Sequence, residues 1–203
     1  MRNLKAEMLP LGIDESSEFL DSIETYLSRL QQQLASLNRG ELVAFAGLLR
    51  EACETGRQIF IMGNGGSAAT ASHFVCDFNK GLSYGRKRKY KFICLNDNVP
   101  ALMAYANDVG YEAVFVEQLK NFLQAGDLVI GISGSGNSAN VLKALEYANA
   151  HQAVTLALVG YDGGKLKKIA RHCVHVNISD MQVVEDIHMM LDHMTMRVLE
   201  SIF

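Results

Sequence analysis

The sequence predicts an α/β protein: an open, doubly wound, five-stranded parallel sheet of the flavodoxin-like kind, flanked by helices, with a helical extension at its N-terminus. Two observations carry this. Short β-rich runs alternate with helical segments from residue 57 onward. Most of those runs are apolar at every position, as strands covered on both faces are, where a half-exposed strand would alternate. The right-handed crossover rule then leaves an open doubly wound sheet. A chain of 203 residues suffices for one domain with a sizeable core. Its two prolines, Pro10 and Pro100, mark no linker. Residues 1–203 are therefore read as one domain, with 1–56 as N-terminal helices used in oligomerisation and 57–203 as the α/β core.

Residues 14–36 space Phe19, Ile23, Tyr26, Leu27, Leu30 and Leu34 as a helical stripe, with Leu37 just beyond, and Asp14 is a candidate cap. A second helix runs from about Glu41 to Thr55 and stops at Gly56. Strands are expected at Arg57–Met62, Tyr90–Leu95, Asp127–Ile132, Ala153–Val159 and Cys173–Ile178. Helices follow the first strand, at Ala139–Ala150, as a short basic piece after Gly164, and from about Met181 to Ile202.

Composition narrows the function classes. Hydrophobic residues make up 49% and charged residues 20% of the chain, which excludes a disordered protein. The net charge of −3 gives no electrostatic footprint for nucleic acid or an anionic membrane. The cluster Arg86-Lys87-Arg88-Lys89 reads as a solvated loop beside a strand. No apolar run approaches the roughly 20 residues that span a bilayer, and the N-terminus has no signal-peptide pattern. Cys53, Cys76, Cys94 and Cys173 show no CxxC spacing and lie in apolar stretches, as buried reduced thiols do. A cytoplasmic protein is expected.

Ligands of such a sheet bind where strands end and helices begin. Two of those loops are rich in Gly, Ser and Asn: Gly63-Asn64-Gly65-Gly66-Ser67 and Ser133-Gly134-Ser135-Gly136-Asn137-Ser138. Glycine lets the backbone approach a ligand, and helix N-terminal amides attract an anion. Neither loop carries the lysine of a nucleoside triphosphate site, and the first does not complete a dinucleotide fingerprint. A monophosphate ester fits these neutral donors best. Elsewhere, His73 and Asp77 stand four apart, on one helix face. Glu185 and His193 stand eight apart on the last helix, with His188 between them. Imidazole and carboxylate at these spacings suit a divalent transition metal, zinc by default, or an acid/base pair. A surface or capping interaction is the plainer reading of an isolated pair.

These loops, together with Ser72-His73-Phe74 and Gly160-Tyr161-Asp162-Gly163-Gly164-Lys165, resemble the sugar isomerase (SIS) domain family, and within it the phosphoheptose isomerase branch. Members of that branch interconvert sedoheptulose 7-phosphate and D-glycero-D-manno-heptose 7-phosphate. The resemblance implies that Ser67, Ser133, Ser135 and Ser138, with the intervening amides of Gly65 and Gly134, bind the phosphate. Asn64, Asp97, Asn98, Asn137 and Glu185 would line the sugar. It also implies Zn²⁺ on His73, Asp77, Glu185 and His193, with Asp77 as base and His193 as acid, in a homotetramer whose sites are completed by a neighbouring subunit. The chain departs from the family pattern in four places. Asp77 stands where Glu is usual, Glu185 where Gln is usual, Gly134 where many relatives have Thr, and Ala68 where His is common. The competing resemblances are to non-catalytic SIS proteins that associate with the DnaA initiator, and to phosphosugar-sensing regulators. Retention of His73, Asp77, Glu185 and His193 favours the enzyme.

Overall fold

The computed structural model describes residues 13–201, and side chains from residue 16 onward. Five strands form one parallel sheet: β1 (Ile59–Met62), β2 (Phe92–Cys94), β3 (Leu128–Ser133), β4 (Val154–Val159) and β5 (His172–His175), in the order β2-β1-β3-β4-β5. The chain leaves β1 toward one edge and returns to β3 on its other side. The crevice beyond the carboxyl ends of β1 and β3 is thus the switch point of the sheet. Ile59 pairs with Phe92 on one flank and Leu128 on the other, and Met62 with Gly131. β3 and β4 are matched along their whole length, Leu128 with Val154 through Ser133 with Val159.

The period-two geometry of a strand sends neighbouring residues to opposite faces, and the two faces carry separate cores. Ile59 and Ile61 join Phe45, Phe74, Phe78, Phe92, Ile187 and Leu191 on one side. Phe60 and Met62 join Phe115, Leu119, Val141 and Leu145 on the other. The first core is roofed by α1 (Ile13–Ser36), α2 (Arg39–Thr55), α3 (Gly66–Cys76) and α8 (Met181–Glu200). The second is roofed by α4 (Val99–Asp108), α5 (Val116–Phe122), α6 (Ala139–Ala150) and α7 (Leu166–Ile169).

Local chemistry sets the ends of these helices. Asn38 accepts from the Gly40 and Glu41 amides to start α2, and Gly56, at φ 69°, stops it in the left-handed conformation. Asp180 caps α8 through the Val183 amide. Asp14 lies inside α1, not before it, and its side chain is outside the described residues. α1 docks on α8 through Tyr26, whose hydroxyl donates to Asp186 at 2.6 Å, and through Arg29 on Asp180 at 2.8 Å. Two helices escaped the sequence reading: α4, and α5 after a 3₁₀ turn at Tyr111–Ala113. β1 to β4 start one or two residues later than expected, β2 ends at Cys94 and β3 at Ser133, and β5 runs His172–His175 in place of Cys173–Ile178. The basic cluster at Arg86–Lys89 is a loop, mostly exposed, as expected. Cys53 and Cys94 are buried, while Cys76 is exposed and Cys173 half-buried; all four thiols are free.

Candidate active site

The first half of the site forms at the switch point. Asn64, Ser67, Ser133, Gly134, Ser135, Ser138 and Glu185, with Ile132 and Met181, line a cavity of about 110 Å³. Ser138 is the N-cap of α6, yet its hydroxyl makes no capping bond and pairs instead with Ser133 at 2.9 Å. A serine at this position ordinarily covers a first-turn amide; here Asn140 Oδ1 takes the Val141 amide at 3.0 Å, and the Ser138 hydroxyl stays at the cavity beside the helix N-terminus, where an anion is favoured. Gly136, at φ 64°, turns the loop so closely over Gly163 that a Cβ would overlap the Gly163 carbonyl. Asn137 holds this loop in place: its amide donates to the Ser135 carbonyl at 2.9 Å and its oxygen accepts from the Lys165 amide at 3.2 Å.

The second half lies further along the same two helices. α3 and α8 pack together in parallel register: Gly66 meets Glu185, and His73 meets His193. A seven-residue step on α3 rises ~10 Å and returns to nearly the same face. The helix pair therefore carries two polar rungs. At the first, a Cβ on Gly66 would overlap the Glu185 carboxylate, so glycine is what lets that carboxylate sit against the start of α3. At the second, His73, Asp77, Asp192 and His193 place one ligand atom each within 4.8 Å of one another. The His73 and His193 Nε2 atoms face each other at 3.0 Å. Asp77 stands 3.6 Å from His73 and 3.8 Å from His193, and Asp192 stands 3.9 Å from His73. Asp77 also begins a π-helical turn, Asp77–Leu82, a distortion common beside functional sites.

Asp192 is the unusual member. Its side chain is 0% exposed, and neither carboxylate oxygen has a hydrogen-bond partner among the described residues. Burial, and secondarily the nearby Asp77 carboxylate, push its pKa up to about 8. A buried carboxylate without donors is costly unless a cation accompanies it. Ligand atoms around a tetrahedral ion with bonds of ~2.0–2.2 Å lie roughly 3.3–3.6 Å apart. Four of the six separations, 3.0, 3.6, 3.8 and 3.9 Å, lie around that range, and all six are within 4.8 Å. Two imidazoles and two carboxylates are also a donor set that suits zinc and its neighbours. The residues fit a divalent metal ion.

The structure sorts the expected residues accordingly. It brings His73, Asp77 and His193 together and places Glu185 on the other rung, against Gly66. Asn64 reaches the cavity and forms a reciprocal amide pair with Asn140 at 2.9 Å, while accepting from the Tyr111 hydroxyl at 2.7 Å. Asn98 is spent on the α4 N-terminus, where it accepts from the Ala101 amide. Asp97 accepts from the Ser72 hydroxyl, one residue before His73. Gly65 takes φ 54° to turn the chain into α3. Asp192, Asn140 and Tyr111 were missed. A carboxylate next to a histidine in an otherwise apolar stretch was the available signal for Asp192. The thiols are not nucleophile candidates at Cys94 and Cys173, since burial pushes both up to about 11.

Comparison with known proteins gives this geometry a family. The SIS domain model matches residues 18–160. The phosphoheptose isomerase of Chlorobium phaeobacteroides is 38% identical over 195 residues, covering 93% of this chain and 86% of that protein. The Helicobacter pylori phosphoheptose isomerase is 40% identical over 156 residues, covering 77% and 81%. The structure of the Neisseria gonorrhoeae phosphoheptose isomerase superposes with a TM-score of 0.83 at 29% identity, covering 91% of this chain and 98% of that one. The two loops at the switch point and the two rungs between α3 and α8 thus belong to a member of the SIS domain family, in its phosphoheptose isomerase branch.

Proposed function

We propose that this protein is an aldose–ketose isomerase that interconverts sedoheptulose 7-phosphate and D-glycero-D-manno-heptose 7-phosphate in the cytoplasm. The observation that carries the reading is the pair of rungs. A cavity rich in amides and hydroxyls, with the Glu185 carboxylate on its wall, lies ~10 Å along α3 from a cluster of ionisable groups. An extended sugar phosphate bridges such a gap, with its phosphate at the serine loops and its carbonyl end at His73 and His193. A regulator that only senses a phosphosugar has no use for the second rung.

Isomerisation moves a proton between adjacent carbons through an enediol. Asp77, half-buried and poised between both histidines, takes the proton from the carbon beside the carbonyl. His193, the more exposed of the two histidines, gives a proton to the carbonyl oxygen as the enediol forms, then takes the proton of the neighbouring hydroxyl as the new carbonyl forms and Asp77 delivers its proton to the other carbon. Ser133, Ser135, Ser138 and Ser67 fix the phosphate and so hold the reacting carbons over Asp77. His73, Asp77 and His193 would hold a zinc ion, which when bound stabilises negative charge developing on the substrate oxygens. No helix among the described residues is long and apolar enough to cross a membrane.

The direct test is turnover of sedoheptulose 7-phosphate by the purified protein, with product identified by its reducing aldehyde. Asp77→Asn is expected to lower kcat by about 10²-fold or more, while phosphate still protects the protein against heat. Undiminished turnover by this variant would remove Asp77 from the mechanism. No turnover by the wild type would leave a phosphosugar-binding protein.

A further inference from the structure

We propose that Asp192, and not Glu185, supplies the second carboxylate to the metal, giving a His73–Asp77–Asp192–His193 ligand set. The inference rests on the isomerase reading only for the location of the site; the ligand assignment is a separate claim. Three observations carry it. Asp192 is fully buried, and its carboxylate has no donor among the described residues, although nearly every buried carboxylate finds one. The same carboxylate points into the histidine cluster, 3.9 Å from His73 Nε2. Glu185 stands one rung away, its carboxylate lying against Gly66 on the wall of the serine-loop cavity.

The helix explains why only one of the two can serve. Glu185 and Asp192 are seven residues apart, so they share a face of α8 but stand ~10 Å apart along it. His73 lies opposite the lower of these positions, because α3 and α8 run in parallel register. Charge favours the same choice. A dication held by two carboxylates and two neutral imidazoles leaves no net charge in a partly buried site, and it provides Asp192 with the partner it lacks. Glu185 is then free to accept hydrogen bonds from sugar hydroxyls near the phosphate loops.

The experiment measures zinc affinity by competition with a chromophoric chelator, and the visible spectrum of the Co²⁺-substituted protein, for wild type, Asp192→Asn and Glu185→Leu, the last because glutamine at 185 would keep a donor oxygen and leucine keeps none. Asp192→Asn is expected to lower zinc affinity at least about tenfold and to shift the cobalt bands. Glu185→Leu should leave zinc affinity and the cobalt spectrum as in wild type. Wild-type zinc affinity in Asp192→Asn, or a loss in Glu185→Leu equal to that expected for Asp192→Asn, overturns the assignment. Should Asp192→Asn not fold, Asp192→Ser takes its place under the same criteria: reduced affinity upholds the assignment and wild-type affinity overturns it. Turnover of sedoheptulose 7-phosphate is measured separately on the wild type. Its absence would remove the isomerase reading while the zinc and cobalt results still judge the ligand set.

Discussion

At the scale of single residues, the serine loop separates binding from chemistry. Ser135 accepts from the Asn137 amide at 3.2 Å, and Ser138 shares its hydroxyl with Ser133, so each can turn a donor toward a phosphate without breaking a helix cap. The phosphate lies remote from the carbons that react, and an interaction equal in ground and transition states affects KM more than kcat. Ser135→Ala and Ser138→Ala are therefore expected to raise KM several-fold with kcat nearly kept, each hydrogen bond to a charged group contributing about 1.5–3 kcal/mol. Steady-state kinetics on the two variants checks this, and an unchanged KM in both would contradict it. Gly66 makes a complementary case. A methyl group there would overlap the Glu185 carboxylate and drive it off the start of α3. Gly66→Ala should thus raise KM for the sugar phosphate while zinc content is unaltered, as read by metal analysis of the purified variant.

At the scale of elements, α8 is the organising piece, and it contains a second buried ionisable group. His188 lies one turn beyond Glu185, is 1% exposed, and burial pushes its pKa down to about 4, against a smaller opposite pull from the Val159 backbone. The unfolded chain, with an ordinary histidine near 6.5, binds more protons between these values. This contribution is complete above about pH 6.5 and is lost as the pH falls toward 4, amounting at most to roughly 3 kcal/mol. Asp192 acts in the opposite sense in the metal-free protein, because a raised carboxyl favours the folded state at low pH. The wild-type curve mixes the two, so the comparison must be between variants: His188→Gln should flatten the fall in melting temperature between pH 6.5 and 4, and an identical slope would refute the assignment. The same helix shows what sequence could and could not disclose. The five strands and the two glycine-rich loops were legible because an apolar run and a run of Gly, Ser and Asn each have one physical meaning in an alternating α/β chain. α4 and α5 were not, since α4 has no buried residue and α5 is short, which leaves no strong apolar stripe to read. Glu185 and Asp192 share a helix face, and spacing within α8 does not say which of them meets His73. That depends on the register of α8 against α3, a tertiary fact fixed by contacts such as Glu185 over Gly66.

At the scale of the molecule, one surface is unaccounted for by the folded chain alone. α1 turns Tyr26, Leu30 and Leu34 toward the core, yet Phe19, Leu20, Ile23 and Leu27 are each more than half exposed on its other side. Nearby, Leu42, Val43, Ala46, Met194, Val198 and Leu199 line an apolar groove of about 320 Å³ between α2 and α8, and Met190 is exposed on the same helix. A helix with apolar residues on two faces is ordinarily buried on both, and exposed apolar patches of this extent mark interaction sites. Closed symmetric assemblies are the usual way for one chain to cover its own patch. The expected result is a homotetramer built on α1 and α8, with each active site completed by a neighbouring copy. Light scattering coupled to size exclusion at micromolar concentration should give about four times the chain mass. Leu27→Glu, which sets a carboxylate in the middle of the α1 patch while leaving Tyr26 and Arg29 on α8, should lower that mass and lower activity with it. Its far-ultraviolet circular dichroism should be unchanged, because Leu27 is more than half exposed on the outer side of α1. A wild-type monomer of full activity would show instead that the apolar face of α1 is not an interface, and that each site is complete within one chain.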